Sequence, residues 1–68
     1  MRIVLNGEPR ELGDSARVRD AVLAAGSPAE ARGVAVALDG EVVPRGRWAD
    51  TTLSEGQRVE VVQAVQGG

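Results

Sequence analysis

The residues of this chain with the least ordinary chemistry stand at its carboxyl end, where Gly67 and Gly68 follow Gln66. Two residues without Cβ atoms can thread a narrow channel in extended form, and the three that follow Val65 span about 10 Å at roughly 3.3 to 3.6 Å each. Gly68 is thus expected to carry its α-carboxylate into another protein's active site, with Gly67 and Val65 lining the approach. A carboxylate resists nucleophilic attack because its leaving group would be oxide. An acyl-adenylate made with ATP departs as AMP instead, so this end reads as an acyl group awaiting activation. Activation must come from outside, since the sequence holds no phosphate-binding loop and no plausible magnesium site.

Pro44-Arg45-Gly46-Arg47-Trp48 is the second candidate. In one reading Pro44 ends a strand, Trp48 covers the rim of the core and the arginines stay solvated or stack on the indole. In the other, Arg45 and Trp48 form a docking patch, because Arg and Trp dominate the energetic centres of interfaces. Val62 is a third candidate: beside Ala35, Ala37 or Val43 it would extend an apolar patch of the kind that marks a partner site. The acids Asp39, Glu41, Asp50, Glu55 and Glu60 have no spacing of a metal cage or a catalytic carboxylate pair, and read as a solvated face.

Composition removes other chemistries. Without Cys there is no disulfide and no thiolate, and without His there is no imidazole base and no common metal site. All basic residues are arginines, and the formal charge of −2 has the wrong sign for a dedicated nucleic-acid binder. The absence of Lys also excludes isopeptide polymers on this chain. No apolar run approaches the roughly 18 residues of a membrane span, and the start breaks its apolar run too early for a signal peptide, so a cytoplasmic protein is expected. At 68 residues the chain makes one small domain, and an enclosed active site is improbable.

The elements that must position these residues follow from local pattern. Arg2 to Leu5 and Glu8 to Leu12 read as two strands joined by the Asn6-Gly7 turn, with Pro9 placing the second at a sheet edge. Asp14 or Ser15 is expected to cap a helix whose stripe is Val18, Ala21, Val22 and Ala25, and Gly26 with Pro28 to stop it. Ser27 to Gly33 reads as a surface loop. Val34 to Leu38 and Glu41 to Val43 form a second hairpin about Asp39-Gly40, with Val34, Val36 and Leu38 facing the helix. Arg45 to Glu55 is irregular, with Leu53 as a core plug, and Arg58 to Val65 is the last strand. The order predicts an α+β fold, a mixed four- to five-stranded sheet with one main helix across one face. Residues 1–65 form this domain and 66–68 a flexible tail.

The stretch Val36-Ala37-Leu38-Asp39-Gly40-Glu41-Val42-Val43-Pro44-Arg45, then Trp48, Leu53, Glu55-Gly56, Val59-Glu60-Val61-Val62 and Gly67-Gly68, resembles the sulfur carriers of thiamine biosynthesis, the ThiS family. Val43-Pro44-Arg45 with Trp48 is the most specific part; the diglycine is common to ubiquitin-like carriers. Two positions depart from the family's habit, Asp39 for a usual Asn and Gln57 for a frequent Asp. The resemblance implies a ubiquitin-like β-grasp and a protein cosubstrate rather than an enzyme. It implies that an adenylating, E1-like activating enzyme uses ATP on Gly68, and that sulfur from a cysteine-derived persulfide then makes a thiocarboxylate. Thiazole synthase would receive that sulfur. No bound cofactor, nucleic acid or membrane is implied. The similar carrier of molybdopterin synthesis and a non-catalytic ubiquitin-like interaction module are the alternatives.

Overall fold

The computed structural model describes residues 1–27 and 33–63. Alternation along Arg2–Leu5 (β1) buries Ile3 and Leu5 and turns Arg2 and Val4 the other way. Asn6 and Gly7, at φ 50° and 83°, reverse the chain into Glu8–Glu11 (β2). Asp39 and Gly40, at φ 49° and 87°, do the same between Val34–Leu38 (β3) and Glu41–Val43 (β4). Both are the mirror-image turns whose twist suits a two-residue hairpin. The last described strand, Arg58–Gln63 (β5), lies at the centre of a mixed sheet of order β2-β1-β5-β3-β4. It runs parallel to β1 and antiparallel to β3.

Both edges of this sheet are blunted. The pair flanking a two-residue turn is hydrogen-bonded, so alternation from Leu5 and Glu8 makes Val4 and Pro9 a non-bonded pair. Pro9 therefore faces outward on edge strand β2 and its missing N–H breaks no rung. The same count on β4 leaves Val42 alone facing outward before Pro44 ends the strand. Neither edge invites a long added strand.

Val18–Ala24 (α1) is too short to persist alone and is held by packing. Val18, Ala21 and Val22 are buried, and Ala25 packs against the same cluster, as the spacing predicts. They meet Ile3, Leu5, Val36, Val59, Val61 and Leu53, an aliphatic core in which each fully buried Val or Ile contributes roughly 1.5 to 3 kcal/mol. Of the larger β3 face, Val36 is fully inside, while Val34 and Leu38 are half-buried against the core.

The helix start corrects the sequence reading. Neither Asp14 nor Ser15 is the cap; Arg17 holds that position, with its N–H donating to Asp20 Oδ2 at 2.7 Å. Arginine has no acceptor to return, so the next N–H groups are met from elsewhere. Val18 N–H donates to the Thr51 carbonyl at 2.9 Å and Arg19 N–H to the Trp48 carbonyl at 3.1 Å. Distant backbone thus does the work of a capping side chain. At the other end Gly26, at φ 89°, donates to the Leu23 carbonyl and Ser27 to that of Val22, the paired bonds that close a helix through a left-handed residue. Ser27 is buried there rather than on a surface loop, Gly33 at the loop's other end is exposed as expected, and 28–32 lie outside the described residues.

Candidate functional site

The site is built around β5, because it is the strand that leads toward the diglycine. Its residues alternate: Val59 and Val61 enter the core, while Glu60 and Val62 lie on the face away from the helix. Val62 is 62% exposed and stands opposite Ala35. Val42, 75% exposed, stands opposite Ala37 on the same face. Val62, Ala35, Ala37 and Val42 thus form an uncovered apolar strip, with Glu60 paired to Ala37 at its border. Val43, expected in this patch, belongs to the other face. It is paired with buried Val36 and packs against the core. A two-residue turn that pairs residue 38 with 41 must pair 37 with 42, so counting across Asp39-Gly40 would have found Val42.

β4 runs in the same direction as β5, since both oppose β3. Pro44 and Arg45 consequently leave the sheet at the end toward which β5 runs. A tight 3-10 turn over Arg45–Arg47 then folds residue 48 back on the sheet. This corrects the reading of Trp48 as a docking contact. It is 3% exposed, a core residue whose Nε1–H donates to the Val43 carbonyl at 3.0 Å. The Arg45 guanidinium lies 5.6 Å from the indole centroid, on an exposed side chain. A hollow of about 350 Å³ lies beside β4, lined by Val42, Val43, Pro44 and Arg47 among others. Arg45 and Val62 are therefore placed at the surface and Trp48 is not. Val65, Gly67 and Gly68 lie outside the described residues.

One arrangement escaped the reading of the chain. Where the regular ladder would use the carbonyls of Asn6 and Asp39 as acceptors toward β5, a side-chain oxygen of each residue accepts instead. Asn6 N–H donates to the Val59 carbonyl at 2.9 Å, and Asn6 Oδ1 accepts from Val61 N–H at 2.8 Å. Asp39 N–H donates to the Arg58 carbonyl at 2.8 Å, and Asp39 Oδ1 accepts from Arg58 N–H at 2.9 Å. Each hairpin is thereby stapled to β5 by its turn residue. Asp39 Oδ2 also accepts from Gln57 Nε2 at 3.0 Å, so the two positions that depart from the family's habit touch each other. An Asx-Gly pair signals the turn, but no local pattern signals which strand its oxygen will meet.

Among the described residues no group of three or more acidic side chains is placed to hold a metal ion, and no helix is long and apolar enough to cross a membrane. What the described residues present is an apolar surface beside the central strand β5.

Comparison with known proteins bears on that arrangement. The family model described as the ThiS family matches residues 3–68. A crystal structure of the thiamine biosynthesis protein (ThiS) from Geobacter metallireducens is 33% identical, with a TM-score of 0.77 and the whole of both chains covered. An NMR solution structure of a thiamine biosynthesis protein from the same organism is 31% identical, with a TM-score of 0.78, covering all of this chain and 88% of the other. No curated protein matches the chain.

Proposed function

Since the chain belongs to the ThiS family and has its β-grasp fold, we propose that it is a sulfur carrier in the formation of the thiazole ring of thiamine. The observation that carries this reading is the family match across residues 3–68, joined by an alignment to a thiamine biosynthesis protein that leaves no part of either chain uncovered. The chain acts as a protein cosubstrate. A separate E1-like enzyme transfers AMP from ATP to the Gly68 carboxylate, releasing pyrophosphate. The outer sulfur of a cysteine-derived persulfide attacks the acyl carbon and displaces AMP, giving an acyl disulfide. A thiol then attacks the donor's sulfur, which leaves the thiocarboxylate on Gly68 and closes a disulfide on the donor side.

The physical logic is that of a handle. A thiocarboxylate is ionised near neutral pH and is a better nucleophile than a carboxylate, so tethering it to a folded domain delivers sulfur without free sulfide. Thiazole synthase then positions the tethered group in its own cleft, turning a bimolecular encounter into a local one. Val62 with Val42 supplies an apolar contact and Arg45 a charged one, all on surfaces adjoining the end of β5. Gly67 and Val65 line the approach of Gly68 to each partner.

Intact-mass measurement on protein isolated from its own cells tests the reading. The expected product carries one sulfur in place of one oxygen at Gly68. Transfer of that sulfur to the molybdopterin precursor, with none to the thiazole, would overturn the assignment.

A further inference from the structure

The strand that leads to Gly68 is held unequally on its two sides. On the β3 side its pairing continues to Gln63, opposite Val34. On the β1 side the strand pairing ends at Leu5 and Val59, because the chain turns away at Asn6-Gly7. The next N–H on that side belongs to Val61, and the Asn6 side-chain oxygen accepts it at 2.8 Å in a partly buried setting. This single side-chain bond extends the β1 side of the sheet by one rung.

We infer that Asn6 is a positioning residue for activation of the carboxyl end: its Oδ1 fixes the direction in which β5 delivers the chain to a partner's active site. The inference rests on the sulfur-carrier reading. Gly68 lies seven positions beyond Val61, at most about 25 Å away. Misplacements of about 1 Å already slow well-organised reactions, so the order of β5 on its β1 side bears on how that end is presented. A loosened Val61 must be re-ordered in every productive complex. The partner supplies that ordering at the moment of binding, so the penalty falls on KM, while the rate of the bound complex is unchanged.

Asn is suited to both demands of the site. It accepts φ 50° more readily than most side chains, and it brings an acceptor to the place where the regular ladder would use its own carbonyl. The two demands can be separated. Asn6→Gly keeps the left-handed backbone and removes the oxygen, whereas Asn6→Asp keeps an oxygen at Oδ1.

The test measures KM and kcat for the carrier in pyrophosphate release by the E1-like adenylating enzyme of the same organism with ATP, alongside amide exchange of Val61 relative to Val59. Asn6→Gly should raise KM about three- to tenfold at unchanged kcat and quicken Val61 exchange by a similar factor, as loss of one such bond allows. Asn6→Asp should stay within about twofold of the unaltered chain on both measures. Unchanged KM or unchanged Val61 exchange in Asn6→Gly, a fall in kcat, or failure of Asn6→Asp to preserve KM would each overturn the role of Asn6. If the unaltered chain itself is not adenylated, the sulfur-carrier reading fails and the role of Asn6 with it; an adenylated chain with indifferent Asn6 variants refutes the second alone.

Discussion

Replacing Trp48 distinguishes a core plug from a docking contact. The indole is 3% exposed, its N–H is bonded to the Val43 carbonyl, and the main chain beside it accepts the Arg19 N–H that begins α1. A domain of 68 residues is stable by about 3 to 10 kcal/mol at 0.05 to 0.15 kcal/mol per residue. Trp48→Ala removes about 3 to 5 kcal/mol through lost burial and the cavity left behind, which is between about a third of that margin and all of it. Trp48→Phe is the more discriminating change. It keeps an aromatic ring in the core but leaves the Val43 carbonyl without its donor, at about 1 to 3 kcal/mol. With a urea slope near 1 kcal/mol/M for a chain this small, the midpoint should fall by about 1 to 3 M. Far-UV circular dichroism must follow unfolding, because Trp48 is the sole tryptophan and disappears in the variant. A Trp48→Phe protein within about 0.5 kcal/mol of the parent that had instead lost affinity for the activating enzyme would refute the burial argument.

Three further perturbations probe the surface, the tail and the hairpin staples. Val62→Asp on the open strip should leave the melting temperature within a few degrees of the parent, since Val62 is 62% exposed, yet weaken the activating-enzyme complex at least tenfold; titration calorimetry reads both partners directly. Gly68→Ala should slow adenylation by crowding a close-fitting channel, and Gly67→Val should slow it more because branching at Cβ restricts the backbone. Parental pyrophosphate exchange in both would mean that the tail enters no such channel. Asp39→Asn can offer one oxygen to the Arg58 N–H but turns its amide nitrogen toward the Gln57 donor, and should destabilise by about 0.5 to 1 kcal/mol. Adding Gln57→Asp gives that nitrogen an acceptor, so a double-mutant cycle should recover the loss; simple additivity would show that the pair is not coupled.

Much of the fold was legible because the signals are local. Period-two alternation in Arg2–Leu5 and Arg58–Gln63, two Asx-Gly turns and the Val18, Ala21, Val22 stripe each depend on a residue and its near neighbours. The surface placement of Val62 followed from that alternation. Where the reading failed, it did so at contacts between elements. Asp14 and Ser15 are good caps by residue type, but the loop carrying Trp48 and Thr51 folds against the first turn and its carbonyls take the N–H groups first. Residue type left Trp48 open between the rim of the core and a docking patch, because composition cannot tell a ring turned outward from one folded back over β4.

Residue type and spacing were sufficient for the strands, the turns and the helical stripe, since side-chain periodicity and allowed φ are properties of a few neighbouring residues. Packing alone chose the helix cap, the burial of Trp48 and the staple from Asn6 to Val61, whose members are 55 positions apart. A hydrogen bond of about 3 Å demands that two elements arrive together, and no stretch of either one encodes where the other will lie.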